Sequence, residues 1–501
     1  MKTLKSKYLI FLLITIAYIL CNGYLFNTGD QAEHLPQVYQ KLNPSLYPND
    51  FFLSYYNNTF TVRYYFVWLV YVFSVFMGVS QTCFIIYFIC LYVSIAGIYF
   101  LINHFYGNTF KIWLGVLLYL FIFRHLTVGG NYLQDNMLVG SSIAEALCIW
   151  AFIAHFKNNF LFAGLFCGLS ALFQPLIGMQ VALIIGIHII YQQIITKQFN
   201  LKNILSFGLS FLGLALFILI PVFLNQTHNN TSNQVEANKI LFEYRGALHY
   251  LPKLFPVKDY LLLGIFTLTA IGILAFKAKA ERTHFVPIIL SNVTICIIVA
   301  AILFINPNSN IGKIQWYKTT VWLGLFCSII LLQVIPTKFL KIISIISYPI
   351  IALFILAMTI ENYRFNNYSF NKLNSLQNTH NWIKENTPQN ALFLAPPNDY
   401  SFNCEAQRST AVNYKAIVHE TNYLIAWKNA MEKYYRMDFT KIEKLDCLPS
   451  AVRGFYNIDF SNYQYQEIDY VLLAKYPRLQ AKYNQEQVCY ENKDYVVLKL
   501  K

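Results

Sequence analysis

The fold is decided by long apolar stretches such as residues 203–224, which read NILSFGLSFLGLALFILIPVFL. This stretch carries no charged residue and, as a helix, is long enough to cross the roughly 30 Å hydrocarbon core of a bilayer. Hydrophobic residues make up 56% of the 501-residue chain and charged residues only 12%. Soluble domains usually carry about 25% charged residues. The sequence therefore predicts a mostly α-helical, polytopic membrane protein.

About eleven apolar stretches are predicted to cross the membrane, and a further one, residues 64–80, to be re-entrant or interfacial. If 64–80 crossed fully, the basic loops around Lys202 and Lys277 would face outward, against the rule that Lys and Arg concentrate on the inner side. The predicted crossings are residues 8–26, 84–103, 110–123, 138–155, 160–174, 176–195, 203–224, 259–277, 285–305, 319–335 and 339–360.

The formal net charge of +14 is explained by short basic loops between these stretches, so we expect no nucleic-acid partner. The same loops place the N-terminus inside, where a basic start before an apolar run is typical of a retained signal-anchor. Residues 27–83 and everything after 360 then lie outside. We expect a multi-pass protein with a cytoplasmic N-terminus and an extracytoplasmic C-terminal domain.

Composition changes after residue 360, and the sequence predicts two domains, a membrane domain over 1–360 and a soluble α/β domain over 361–501. The membrane domain includes an acidic first outer loop, residues 27–63. Cys404, Cys447 and Cys489 can form at most one disulfide. The predicted elements of the soluble domain are helices over 371–386 and 421–435 and strands over 391–395, 469–474 and 495–500.

The first outer loop carries the polar cluster Gly29-Asp30-Gln31-Ala32-Glu33-His34. The predicted topology puts most other unusual polar residues on the same outer side, which is typical of one shared site. One further acid, Glu145, falls inside a predicted span, where a charge is costly unless it faces protein or water. The other outer-side residues are Asp50, Arg124, His125, Gln134, Asp135, Arg245, His249, Gln315 and Lys318.

A long acidic first outer loop, a set of membrane helices and a soluble outer domain together resemble the GT-C glycosyltransferase superfamily. Within that fold group the chain looks like an uncharacterised bacterial family of multi-span membrane proteins. One departure is that the stretch reading Arg-x-Pro-His-His in such proteins is Arg245-Gly-Ala-Leu-His249 here, so one histidine is absent. The matching stretches are residues 28–34, 47–52, 174–178, 244–252, 382–388 and 395–397.

The resemblance implies glycosyl transfer, in which a base takes a proton from the acceptor hydroxyl. Asp30 is the first candidate for this base and Glu33 the second, and partial desolvation beside the membrane would raise the pKa of such a carboxylate. The alternative is structural. Asp30-Gln-Ala-Glu33 also fits a capping box, with Asp30 as the N-cap and Glu33 at the third helical position.

The leaving lipid phosphate needs cations or hydrogen-bond donors, and Arg245, His249 and Lys318 are the candidates, joined by Gln315. Arg245 and His249 share a face if their segment is one helix. The alternative for these cations is contact with lipid headgroups. His34, Asp50, Asp135 and Glu145 are further candidates for binding substrate. Three of them also have a structural alternative. Asp50 could be an N-cap, Asp135 could form a salt bridge with Arg124, and Glu145 could form a hydrogen bond between helices.

We therefore expect a glycosyltransferase that moves a hexosyl or pentosyl unit from a polyprenyl phosphate to a lipid- or surface-linked glycan at the bacterial inner membrane. Its partners would be membrane lipid, the lipid-linked sugar and the acceptor. We expect no cofactor; the acids could hold a divalent cation, but no ligand spacing requires one. The alternatives are a transporter or flippase for a lipid-linked substrate and a non-catalytic envelope assembly protein.

Overall fold

The computed structural model describes residues 2–226, 231–277, 281–365, 367–369, 374–442, 447–463, 466–476 and 481–501. It consists mostly of helices, with a small sheet near the C-terminus. Its residues form two compact units, each drawn from separate parts of the chain. Unit 1 contains residues 1–24, 84–220 and 249–368, and unit 2 contains residues 25–83, 221–248 and 369–501.

The helices of the first 364 residues are mainly apolar. The chain continues as follows: α1 (Lys2–Asn22), α2 (Leu35–Leu42), α3 (Phe51–Tyr56), α4 (Tyr64–Met77), α5 (Val79–Phe105), α6 (Thr109–Phe121), α7 (Gly140–Phe156), α8 (Phe160–Phe173), α9 (Pro175–Thr196), α10 (Leu201–Gln226), α11 (Thr231–Lys239), α12 (Ala247–Tyr250), α13 (Val257–Phe276), α14 (Arg282–Ile305), α15 (Thr320–Leu331) and α16 (Leu340–Arg364).

Among the described residues, seven helical stretches are long and apolar enough to cross a membrane, which indicates a membrane protein by length and composition. Five further apolar helices in the same part of the chain are shorter, including α1 from Ser6 onward and α4. An apolar helix lies at each predicted crossing, but the count of about eleven and the sidedness of the loops stay predictions; Lys279, in one basic loop, lies outside the described residues. The seven are Val79–Phe105, Pro175–Thr196, Leu201–Leu224, Val257–Phe276, Arg282–Ile305, Asn310–Val334 and Leu340–Arg364.

Helix α4 is short for a membrane helix. Its 14 residues span about 21 Å, against a hydrocarbon core of about 30 Å. Several of its apolar side chains are exposed, Phe76 most of all at 80%. This length agrees with the predicted re-entrant or interfacial segment at 64–80.

Helices of unit 1 pack closely where small residues meet. The α8–α9 hairpin brings Gly178 against the backbone of Ala171, so that a Cβ atom added at Gly178 would lie 2.4 Å from the Ala171 nitrogen. Small residues commonly allow such close approach between membrane helices. Other packed pairs in this unit are α7 with α8, α1 with α16, α13 with α15, α9 with α14, and α6 with α16.

Unit 2 is completed by the C-terminal elements, whose sheet has the order β2-β1-β3-β5-β4. β1 runs parallel to both β2 and β3, with Phe393 opposite Tyr470, whereas β5 is antiparallel to β3 and β4. Phe393, Phe402 and Val497 form part of its apolar core. The elements are α17 (Ser375–Asn386), β1 (Leu392–Leu394), α18 (Phe402–Ala406), β2 (Ser409–Thr410), α19 (Thr421–Tyr435), α20 (Leu448–Tyr456), β3 (Tyr470–Ala474), β4 (Val488–Glu491) and β5 (Tyr495–Lys499).

The predicted strands and helices of this region are confirmed. α19 has the predicted bounds, and β1, β3 and β5 fall within the three predicted strands. Residues 371–373 of the predicted helix 371–386 lie outside the described residues. β2 and β4 were not predicted. The boundary between two domains at residue 360 stays a prediction, since the compact units follow packing rather than sequence order. Each cysteine is a free thiol.

A buried histidine joins two acids beneath the sheet. His380 Nε2 lies 2.7 Å from Asp399 Oδ2, and His380 Nδ1 lies 3.0 Å from Glu405 Oε2. Burial opposes charge on the ring, but Asp399 and then Glu405 outweigh it and raise the pKa of His380 to about 9. The histidine is therefore charged at neutral pH and bridges α17 to α18.

Replacing Gly178 by Ala should lower stability by about 1–3 kcal/mol, because the added methyl group meets backbone rather than a movable side chain. Gly186 lies on the same helix, and its nearest neighbour to an added Cβ is 4.0 Å away. Gly186→Ala should therefore leave the thermal unfolding midpoint in detergent unchanged or slightly raised. Equal midpoints for the two variants would contradict the close packing.

The His380 bridge should make stability fall at alkaline pH. Because the folded pKa of about 9 exceeds the ordinary 6.5, the stabilisation is complete below about pH 6.5 and is lost as pH rises through 9. It amounts to roughly 3 kcal/mol at most. Thermal unfolding midpoints of the full chain between pH 6 and 9.5 should decline, and His380→Gln should remove that slope while lowering the midpoint at pH 6. A slope that survives in the variant would assign the pH dependence to another group.

Candidate functional site

The acidic cluster forms a 3-10 helix, Gly29–Glu33, that begins after Thr28. Asp30 lies inside this helix rather than at its N-cap position. The capping-box interpretation of Asp30 and Glu33 is therefore wrong, and each acid instead pairs with a cation.

Asp30 pairs with a lysine from the C-terminal segment. Lys415 Nζ lies 2.5 Å from Asp30 Oδ1, and the two side chains are 20% and 59% exposed, respectively. More than half of the Asp30 side chain is accessible within the protein, and its desolvation by the membrane stays a prediction. The structure shows an accessible carboxylate in contact with the Lys415 ammonium group.

Glu33 forms an ion pair with Arg63, the residue immediately before α4. Both side chains are largely buried, at 12% and 11% exposed. Arg63 Nη1 also donates to the Ile417 carbonyl oxygen at 2.9 Å. The pair therefore fastens the acidic cluster to the start of the apolar helix α4 and leaves Glu33 less accessible than Asp30.

His34 is buried beside this pair. Its ring lies against that of Phe66, with centroids 4.9 Å apart, and its Nδ1 has no hydrogen-bond partner. Burial, reinforced by the charge of Arg63, lowers the pKa of His34 to about 3. The imidazole is therefore neutral at physiological pH and packs as part of the core of unit 2.

Asp50 is the N-cap of α3, as its structural alternative predicted: Leu53 N donates to its Oδ1 at 3.0 Å. Its Oδ2 accepts from Asn403 Nδ2 and Thr410 N, both at 2.8 Å, and from Thr410 Oγ1 at 3.1 Å. Burial raises the pKa of Asp50, and the hydrogen bonds of Thr410 and Leu53 oppose that rise. Asp50 is 2% exposed, and its carboxyl group holds the backbone around it in position.

Arg245 is directed at backbone oxygens. Its guanidinium donates to the carbonyls of Tyr414 at 3.0 Å and Lys415 at 2.8 Å and lies 4.8 Å from the Tyr414 ring centroid. The π-helix that carries it, Ile240–Arg245, ends at Gly246 before α12 begins. Arg245 and His249 therefore do not share one helix face, and that part of the prediction is wrong. His249 is exposed on α12, in unit 1.

A second polar group lies within unit 1. Glu145 Oε2 accepts from Gln134 N at 2.7 Å, so this buried acid of α7 is bound to the segment that precedes its own helix and not to another helix. Asp135 and Lys318 are both within electrostatic range of this carboxylate. Nearby, the Gln315 carbonyl oxygen accepts from Gln180 Nε2 at 3.2 Å.

Arg124 belongs to the same region of unit 1. Its guanidinium donates to the Tyr18 hydroxyl and lies 5.0 Å from the Tyr18 ring, and its Nε donates to His125 Nε2 at 3.0 Å. The structure thus divides the predicted site residues into two groups, one in each unit, and the single shared site stays a prediction.

Lys415 and Arg63 are the partners that sequence reasoning missed. Lys415 is 385 residues from Asp30, and no spacing in the chain relates them. Arg63 could have been identified from the sequence, because it is a basic residue on a predicted outer loop directly before an apolar stretch. Among the described residues, no group of three or more His, Cys, Asp or Glu side chains is placed to hold a metal ion.

Comparison with known proteins concerns the C-terminal segment. Residues 374–434 match the family model described as Domain of unknown function (DUF6798). No curated protein matches the chain. The matched segment runs from α17 to α19 and contains Asn403, Thr410 and Lys415, which hold the acids of the first loop.

Asp50→Asn should destabilise unit 2 by about 1–3 kcal/mol, because an amide at this position turns a donor toward donors in a buried network. The rate at which a thiol reagent labels the buried Cys404, mapped by mass spectrometry, should rise accordingly. Asp438→Asn is the matched control, since Asp438 bonds only locally through Thr440 and Lys441 in the recorded contacts, and it should leave labelling unchanged. Unaltered labelling in Asp50→Asn would show that the network is not needed to hold the segment.

Proposed function

We propose that the protein is a membrane glycosyltransferase that transfers a sugar from a polyprenyl-phosphate donor to a lipid- or surface-linked glycan, on the outer face of the bacterial inner membrane. The observation that supports this best is the accessible Asp30 carboxylate held by Lys415 beside the start of an apolar helix. Asp30 acts as the base, and Glu33 fixes the position of the loop through Arg63.

The chemistry requires a carboxylate that can accept a proton from a hydroxyl group at the membrane surface. Asp30 is accessible, and the Lys415 ammonium group orients it without burying it. Glu33 and Asp50 are less suited to this task because both are buried among donors. Positive charge for the departing phosphate comes from Lys415, with Arg245 supporting the Lys415 backbone.

A second candidate is a non-catalytic envelope assembly protein. The observation that favours it is the extent to which Glu33, Asp50 and Arg245 are engaged by partners within unit 2. In this role the Asp30–Lys415 pair would only join the first loop to the C-terminal segment. The pair would do so equally well with its two charges exchanged.

Asp30→Asn should reduce transfer by a factor of 10² to 10⁴, the usual contribution of a positioned general base. The measurement is a mass-spectrometric profile of lipid-linked and surface glycans in a deletion strain that carries each variant at matched membrane levels. Asp438→Asn is the control, since Asp438 bonds to its neighbours Thr440 and Lys441 and has no part in the proposed chemistry, and it should retain the native glycan profile.

The charge-reversed pair, Asp30→Lys with Lys415→Asp, separates the two candidates. A base at position 30 is lost in this variant, so glycans should remain defective under the glycosyltransferase proposal. Restoration of the native profile by the reversed pair would overturn that proposal and assign the pair a structural role.

A further inference from the structure

A cavity of about 510 Å³ lies in unit 2, between α2, the turn after α3 and the first half of α4. Its volume is within the roughly 300–1,000 Å³ usual for small-molecule sites. None of the residues discussed above as base or phosphate ligand lines it. All of its lining residues belong to one unit and to the described part of the chain.

Aromatic rings form one side of this cavity. Trp68 and Tyr64 are 38% and 39% exposed, so large ring surfaces remain accessible. Phe60 stacks on Tyr64 with centroids 4.8 Å apart, which fixes the Tyr64 ring plane. Rigid aromatic surfaces of this kind present a large apolar face to a ligand at little entropic cost.

Primary amides form the other side, supplied by Gln37, Gln40, Asn57 and Asn58. Each amide offers both a donor and an acceptor. Asn57 Nδ2 donates to Gln40 Oε1 at 3.0 Å, so this pair is held in position. This part of the lining therefore consists of neutral amide groups, of which Gln40 and Asn57 hold each other in position.

The side-chain amide of Gln37 has an oxygen without a hydrogen-bond partner. Gln37 is 2% exposed, and its Nε2 donates to the Glu33 carbonyl oxygen at 2.6 Å. Its Oε1 is buried and has no hydrogen-bond partner. An unpaired buried acceptor is destabilising, and a ligand hydroxyl that donates to Oε1 would remove that cost.

Charge in the cavity is limited to Lys41, the single ionisable cation of its lining. Its Nζ lies 4.4 Å from the Trp68 ring centroid, so the ammonium already interacts with an aromatic face. Phosphate-bearing headgroups are usually held by several cations or by an Arg fork. An alkyl chain would leave Gln37 Oε1 without a partner.

We propose that this cavity binds a neutral saccharide ring. A pyranose has an apolar C–H face, which fits Trp68 and Tyr64, and a rim of hydroxyl groups, which fits the amides and Gln37 Oε1. The inference deepens the proposed function and rests on it for the biological source of the sugar: the ring belongs either to a lipid-linked saccharide or to a free glycan.

The test is saturation-transfer NMR on the full chain in phospholipid nanodiscs. The probes are the methyl glycosides of glucose, galactose, mannose and N-acetylglucosamine, with sn-glycerol 1-phosphate as the charged alternative. At least one glycoside should bind, and Trp68→Ala and Gln37→Leu should each weaken that binding by about tenfold or more, which is about 1.4 kcal/mol of binding free energy. Gln37→Leu removes both the unpaired acceptor and the bond from Nε2 to the Glu33 carbonyl oxygen, so its thermal unfolding midpoint, measured alongside, should stay close to that of the native chain.

Trp382→Ala is the matched control. Trp382 stacks on Tyr490 in the same unit, away from the cavity, and its loss should leave glycoside binding unchanged. Tighter binding of n-octyl β-D-glucoside than of methyl β-D-glucoside, lost again in Trp68→Ala, would identify a lipid-linked sugar. Equal binding of the two would identify a free glycan.

Three outcomes would overturn the inference: no binding of any glycoside at 100 mM, glycoside binding that Trp68→Ala and Gln37→Leu leave intact, or binding of glycerol phosphate in place of the sugars. Asp30→Asn should retain glycoside binding whether or not it retains transfer. Failure of the proposed transfer and failure of the saccharide site are therefore measured separately.

Discussion

Unit 2 depends on one buried carboxylate. Asp50 comes from the first loop, yet it accepts three hydrogen bonds from Asn403 and Thr410, more than 350 positions later. A buried acid is tolerated only when donors surround it, so the loop and the C-terminal segment must adopt one mutual arrangement. The contacts of Asp30 with Lys415 and of Arg63 with Ile417 presuppose that arrangement.

These contacts follow one rule along the first loop. Each of its acids contacts a donor that is distant in sequence. The donor is Lys415 for Asp30, Arg63 for Glu33 and Thr410 for Asp50. The three acids differ in accessibility, and the role open to each acid depends on that difference. An exposed acid is available to a substrate, whereas a buried one orders the backbone around it.

Patterns that are local in sequence were sufficient for much of the fold. Apolar runs marked the helices. α19 and the strands β1, β3 and β5 followed from periodicity, and Pro396-Pro397 marked the end of β1. β2 was missed because its two residues carry no alternation, and β4 because its pattern is interrupted by a bulge against β5. Asp50 as an N-cap was readable from Pro48-Asn49-Asp50, since capping acts over three residues.

Only part of the candidate site could be predicted, because sequence patterns are local and the partners of the acids are distant in sequence. The acids of the first loop drew attention by composition, but their partners did not. Lys415 sits in a segment with no motif around it, and only folding brings it to Asp30. The aromatic and amide residues of the cavity are likewise spread over α2, a turn and α4, and resemble ordinary interfacial residues when taken one at a time.

The discontinuous make-up of unit 2 has a consequence for biogenesis. Its three pieces, residues 25–83, 221–248 and 369–501, are separated by nearly all of the membrane helices. During synthesis the first piece emerges with Asp50, Glu33 and Asp30 but without Asn403, Thr410 or Lys415, and it must wait for several hundred further residues. Contacts so distant in sequence form late and slowly. The helices of unit 1 are thus made while the acidic loop is still unassembled, and residues 369–501, made after them, complete the unit.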